Sequence, residues 1–351
     1  MKQLPALPLL PLVACLCLLA STGARADPNP YYVGASQTFT HDTNILRLPE
    51  GQEISDSYST TSVLAGFDQP ISRQRLYANG AVSYNRYKNR DDLNNTGYGL
   101  NAGWDWATIG NLSGTLSANL NRQLVPNSVT DSTLVLNEKN LATTRQYAAT
   151  AALGTVTKLT FEAGVTHREL DYTNDLWAGL ENRQDSGSLG VKYRPSDLLT
   201  LGVGARETRG KYNPSGTPDE YRRHDLDLTA LWLPSGASSL EARLSFGRQK
   251  FDTGTERDFS GTTGSLQWRW KPTGKLTFFT VLLRDTGSQA GYFYTGDVII
   301  APTGLTFETR AGDTSRVTTL ARLLGEYAAT AKIKLTASAT NTHRDLVSTL
   351  L

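Results

Sequence analysis

From Tyr98 to Trp106 the chain alternates without a break. Tyr98, Leu100, Ala102, Trp104 and Trp106 occupy the even positions, and Gly99, Asn101, Gly103 and Asp105 the odd ones. Successive side chains of a strand point to opposite faces, so this segment has one apolar and one polar face. The pattern returns with Leu112, Leu116, Ala118 and Leu120 against Ser113, Thr115, Ser117, Asn119 and Asn121. Only Ala107 to Asn111 separate the two segments, the length of a hairpin turn. Segments that begin at Leu159, Leu199, Leu240 and Ile333 obey the same rule, and their polar faces carry charge freely.

A soluble sandwich alternates in the same way, so the connections decide the class. Short turns near Asp68, Ala107, Gly154, Arg194, Pro234, Pro272 and Ala328 alternate with long polar stretches over 41–55, 88–96, 125–140, 169–184, 207–222, 248–260 and 285–314. Short turns on one rim and long loops on the other mark an outer-membrane barrel. The predicted fold is all-β, a transmembrane antiparallel up-and-down β-barrel with fifteen candidate strands between Tyr31 and Asn341. Bacterial single-chain barrels have even strand counts, which leads to an expected total of about 16 to 18 and a C-terminal end truncated here. A turn spacing near ~40 residues also suits a propeller. Against that, Trp104-Asp105 is the one Trp-Asp dipeptide in the chain, and it falls in mid-strand.

Aromatic residues repeatedly stand just before the short turns: Phe67, Trp106, Tyr193, Trp232, Trp270 and Tyr327. Rings at such positions belong at the boundary between hydrocarbon and headgroups. These six are therefore the expected membrane-interface aromatics on the short-turn rim.

Composition narrows the environment. The chain has 351 residues, of which 39% are hydrophobic, low for a large buried core. Lys2, an apolar run from Leu9 to Ala20 and the small-x-small site Ala24-Arg25-Ala26 describe a secretory signal peptide over 1–26, with the barrel over 27–351. Leu12-Val13-Ala14-Cys15 also fits a lipoprotein box, but the apolar run continues past Cys15. Both cysteines, Cys15 and Cys17, lie inside this leader, so the remainder holds no disulfide, thiolate metal site or cysteine nucleophile. Setting aside Lys2 and Arg25 leaves 33 basic residues against 33 acidic ones, a balance that argues against nucleic acid as a partner. No later stretch is apolar for the ~20 residues a membrane helix needs, so any crossing is made by strands.

Catalytic chemistry is poorly represented. His41, His167, His224 and His343 are far apart in sequence, with no pair at metal-ligand spacing. Asp285-Thr286-Gly287 spells the aspartic-protease tripeptide but opens a long loop, and that reaction needs two carboxylates that share a proton. Neither a nucleophile elbow nor a phosphate loop is present, and the reading is of a non-enzyme without cofactor or metal. The pairs His41 with Asp42 and His224 with Asp225 are what a loop-assembled catalytic site would have to use.

The polar faces supply candidate lumen-lining residues: Lys158, Glu162 and Arg168 on one strand, Arg206 on another, Glu241 and Arg243 on a third, and Arg269 beside Gln267 on a fourth. Either these pair as ion bridges that hold the wall, or a positive bias from Arg206, Arg243 and Arg269 favours an anionic polymer. Tyr292 and Tyr294, in the longest loop, are candidate glycan-stacking rings or extra strand outside the membrane. The acidic run Glu169, Asp171, Asp175, Glu181 and Asp185 suits divalent cations that bridge lipopolysaccharide, or a solvated surface.

Residues 37–47 (QTFTHDTNILR), 56–61 (DSYSTT), 68–76 (DQPISRQRL) and 97–104 (GYGLNAGW) resemble the EpsL-type outer-membrane proteins of exopolysaccharide loci associated with exosortase sorting. The chain is also similar to the wider group of β-barrel porins. The resemblance is densest from Tyr31 to Trp106. It implies an outer-membrane protein that serves exopolysaccharide production or export, as a passive conduit or assembly component, and it carries over no catalytic residue. Its implied partners are outer-membrane lipids, the secreted polysaccharide and the export machinery. A general porin for small solutes is the alternative, and a barrel enzyme acting on lipid or glycan the second.

Overall fold

A computed structural model describes residues 30–46, 48, 50–125, 138–155, 157–212, 219–253, 258–286, 315–330 and 333–346. The expected signal peptide lies outside the described residues, as do Tyr292 and Tyr294. The strands are β1 (Tyr31–Asp42), β2 (Asp56–Ile71), β3 (Gln74–Tyr87), β4 (Asn95–Ala107) and β5 (Leu112–Leu124). Next come β6 (Leu141–Leu153), β7 (Leu159–Tyr172), β8 (Asn182–Ser196), β9 (Leu199–Tyr212) and β10 (Asp219–Ser235). The series ends with β11 (Ser238–Phe251), β12 (Phe259–Trp270), β13 (Leu276–Asp285), β14 (Ser315–Ala328) and β15 (Lys334–Leu346).

All 15 strands form one sheet in sequence order, and each neighbouring pair is antiparallel. This is the expected up-and-down topology, and it excludes separate propeller blades. β1 and β15 are the two ends of that order, and no ladder joins them among the described residues.

The packing of the faces is the reverse of a soluble protein. Leu201, Val203, Leu226, Leu228, Leu244 and Phe246 share one face and are 41–49% exposed. Arg206, Arg223, Asp225, Asp227, Ser245 and Thr263 occupy the opposite face at 0–5%. Water would favour the opposite arrangement, since charged groups are rarely buried fully and a continuous exposed apolar surface is costly. With lipid as the outer solvent, the apolar face belongs outside and the polar face inside. The molecule is therefore a transmembrane antiparallel β-wall, and "outward" and "inward" follow from this assignment.

The outward apolar band has a definite height. On β9 it comprises Leu199, Leu201, Val203 and Ala205 before Glu207 and Arg209, and on β10 Trp232, Ala230, Leu228 and Leu226 before His224 and Arg222. Crossing the hydrocarbon takes about 9–11 tilted residues. Strands of 14 and 17 residues such as these exceed that length, and their charged ends stand clear of the band. The stretches 169–184, 207–222 and 248–260, expected to be loops, are partly strand for this reason.

Glycines stand opposite aromatic residues where the ring takes the space a side chain would need. Tyr221 pairs across the ladder with Gly210, and Tyr77 with Gly103. In both pairs the ring lies where a Cβ on the glycine would have to go. Two apolar clusters pack at the long-loop end of the inward face. Leu46, Tyr87 and Leu93 form one, and Val125, Ala142, Leu170, Tyr172 and Trp177 the other.

Candidate functional site

The inward face is the candidate site, and it has two chemically different halves. From β7 to β13 it is charged. Register sets Arg206 opposite Asp225 and Asp227 opposite Ser245, which gathers side chains of three neighbouring strands, β9 to β11, into one network. Arg206 binds Asp225 at 3.2 Å and Asp227 at 3.2 Å, and Arg243 approaches Asp227 at 3.6 Å. Arg223 binds Asp225 at 2.9 Å and donates to Thr286. Ser245 donates to Asp227 and accepts from Arg243 at 2.8 Å. Buried charges are tolerable only when paired and hydrogen-bonded. This network meets that condition by placing Asp227 between two guanidinium groups.

From β1 to β6 the inward face carries hydroxyls and amides instead. Thr60 donates to Asn85 at 2.7 Å, Asn85 to Asn95 at 3.0 Å, and Ser62 and Ser83 share a 2.8 Å bond. Asn79, Asn101, Ser117, Asn119 and Asn121 face the same way. Charge on this half is confined to the two rims. At the short-turn rim Arg75 binds Asp68 at 2.6 Å and Asp105 at 3.5 Å. At the long-loop rim Asp56 is buried and accepts from the backbone of Asn89 and Arg90. In the adjoining loop a 2.8 Å bond from Arg90 holds the Asp92 carboxyl below its ordinary range and raises the Arg90 guanidinium.

The residues proposed for the lumen from sequence fall as follows. Glu162, Arg168, Arg206, Glu241, Arg243 and Arg269 stand at inward register positions. Lys158 does not project from β7 as expected. It sits exposed in the preceding turn, because the strand starts only at Leu159. Arg206 and Arg243 are brought together, Glu162 instead pairs with Lys192 at 2.7 Å, and Arg269 lies 5.9 Å over the Phe279 ring. Asp225, Asp227 and Arg223, which complete the network, went unread in the sequence as lumen groups. Their alternation with outward His224 and Leu226 was the available signal.

The catalytic pairs are separated by the pleat. His41 is outward on β1 and Asp42 inward, and His224 is outward on β10 and Asp225 inward. Neither pair can act on one substrate. Glu169, Asp171 and Asp185 lie on the outward faces of β7 and β8 rather than in a loop, held by Arg183, Arg145 and His167. Among the described residues no group of three or more His, Cys, Asp or Glu is placed to hold a metal ion.

The six expected interface aromatics are all outward and near the short-turn ends. Phe67, Tyr193, Trp232, Trp270 and Tyr327 are 37–48% exposed. Trp106 is half-buried, its indole lying over Gly114. Trp104 and Trp268 join them, and their indole nitrogens donate to Gln74 at 2.8 Å and Ser238 at 3.0 Å near the turns. A ring with its body in hydrocarbon and its N–H toward polar groups is what an interface position requires.

No family model matches the chain, and no curated protein matches it. Among solved structures it is similar to a mutant of the ferric enterobactin receptor of Pseudomonas aeruginosa, at TM-score 0.41 and 14% identity, covering 89% of this chain and 53% of that one. It is similar to the FrpB iron transporter of Neisseria meningitidis, at TM-score 0.42 and 9% identity, covering 91% of this chain and 59% of the transporter. A mutant Rh. blastica porin matches at TM-score 0.33 and 9% identity, over 89% of this chain and 94% of the porin. The chain thus spans little more than half the length of the receptor and of the FrpB transporter. At these scores the likeness carries no argument about activity.

Proposed function

We propose that this chain forms the wall of an outer-membrane conduit for a secreted polysaccharide, as its resemblance to EpsL-type proteins implies. The observation that carries the reading is the neutral half of the inward face. Hydroxyls and amides along β1 to β6 exchange hydrogen bonds with sugar hydroxyls without a fixed charge to trap the chain. Sugars are bound and released there at similar energies, which passive threading requires. The charged half adds little net field, because Asp225 and Asp227 sit between Arg206, Arg223 and Arg243. Transport is passive in this reading, with force supplied from the inner membrane.

The test pairs a deletion strain with planar-bilayer recording. Loss of secreted polysaccharide on deletion, with current blocked by neutral oligosaccharides and weak ion selectivity, supports the reading. Normal secretion in the deletion strain, with free passage of small solutes, would instead establish a general porin.

A further inference from the structure

Beyond the apolar band, β10 and β11 present a cluster of cations to the outside, which Glu207, opposite His224 on β9, offsets only in part. Arg222 faces Lys250 across the ladder, and His224 faces Arg248. On its other side Arg222 faces Arg209. Like charges directly opposite one another destabilise a sheet. The neighbouring carboxylates are already engaged, Glu207 by Arg209 at 2.8 Å and Glu220 by Lys211 at 3.4 Å. Arg222, Arg248 and Lys250 are exposed, and among the described residues none has an ion pair or side-chain hydrogen bond.

Directly below this patch the surface is apolar. Leu226 and Phe246, 48% and 47% exposed, pair across the same two strands. A shallow furrow of about 610 Å³ runs over Phe161, Ala163, Leu189, Val203 and Ala205 and ends at Leu226. The small side chains of Ala163 and Ala205 make the floor, and larger ones make the walls.

We propose that this patch and furrow dock a phosphorylated, acylated lipid of the surrounding leaflet, phosphate on Arg222, Arg248 and Lys250 and one acyl chain along the furrow to Leu226. Two features select that occupant over a free anion or a plain hydrocarbon. The cations lie outside the band, at headgroup level, and the furrow lies inside it. Arginine and lysine bind phosphate through charge-assisted hydrogen bonds, which also relieve the mutual repulsion of the patch. The inference rests on the membrane reading of the wall, but not on any cargo.

The full chain, folded in detergent micelles, is titrated with a diphosphorylated acylated disaccharide lipid, with the same lipid after dephosphorylation, and with inorganic phosphate. Binding is read by native mass spectrometry and by the unfolding midpoint. The diphosphorylated lipid is expected to bind about tenfold or more tightly than either control. Arg222→Glu with Arg248→Glu should abolish that preference while leaving the lipid-free unfolding midpoint unchanged or raised, because it removes like-charge pairs. Ala205→Trp, which fills the furrow, should weaken lipid binding and leave inorganic phosphate unaffected. Equal binding of the dephosphorylated lipid, or of phosphate alone, would overturn the proposal, as would full retention in both variants. Fractionation of the chain away from the outer membrane would defeat the localisation separately from these affinities.

Discussion

Asp227 lies at 5% exposure between Arg206 and Arg243, and its removal leaves two buried guanidinium groups facing each other. Breaking a buried pair from one side costs about 3–5 kcal/mol, whereas replacing the whole group with apolar side chains of similar size is often neutral. Asp227→Ala should therefore lower unfolding free energy in detergent by about 3–5 kcal/mol, as urea titration reads it. Replacement of Arg206, Asp227 and Arg243 together by Met, Leu and Met should recover most of the loss. A loss no larger for Asp227→Ala than for an exposed site would show that the network holds nothing. Selectivity gives a second reading of the same residues. Asp227→Asn should shift the bilayer reversal potential toward anions, because it frees positive charge that the native carboxylate cancels. This arrangement was hidden in the sequence. Arg206 and Arg243 are visible as polar-face residues, but their partners depend on the register of β9, β10 and β11, which alternation alone does not fix.

The strands themselves were largely legible. Lipid on one face imposes strict alternation, so β4, β5, β9 and β11 can be read residue by residue from Leu100, Leu116, Leu201 and Leu244 outward. The signal fades where the strand leaves the band. β7 runs on to Tyr172 and β8 begins at Asn182, through a stretch that reads as polar loop because its outward face carries Glu169, Asp171 and Arg183 in place of apolar side chains. The same blindness made His224 and Asp225 look like neighbours, although one pleat sends them to opposite faces. Cross-strand glycine and aromatic pairs are the other local device of these strands. Gly210→Ala would drive its Cβ into the Tyr221 ring, which is 1% exposed and has nowhere to move. Overpacking of this kind costs about 1–3 kcal/mol. Thermal unfolding should show that loss for Gly210→Ala and almost none for Gly187→Ala, where no atom lies within 4 Å of the added carbon. Equal effects at the two sites would mean that the Tyr221 ring is not held in the glycine's space.

On the scale of the whole molecule, a single sheet of 15 strands wears its apolar side chains outside and its buried ion pairs inside. Both the conduit and the lipid site require that inversion in a bilayer. The cysteines of the sequence, Cys15 and Cys17, both precede β1, and with both replaced by alanine a single cysteine within a strand carries an environment-sensitive label at one position. Label is placed on β5 at Leu116→Cys, Ser117→Cys, Ala118→Cys and Asn119→Cys, and on β10 at Leu228→Cys, Thr229→Cys and Ala230→Cys, in protein reconstituted into liposomes. Quenching by nitroxide lipids and by a water-soluble quencher is then read at each position. The account predicts lipid quenching at 116, 118, 228 and 230, aqueous quenching at 117, 119 and 229, and a return to aqueous quenching outside the band at Arg222→Cys. Quenching from water alone at every position, or lipid quenching without a period of two, would contradict a transmembrane β-wall.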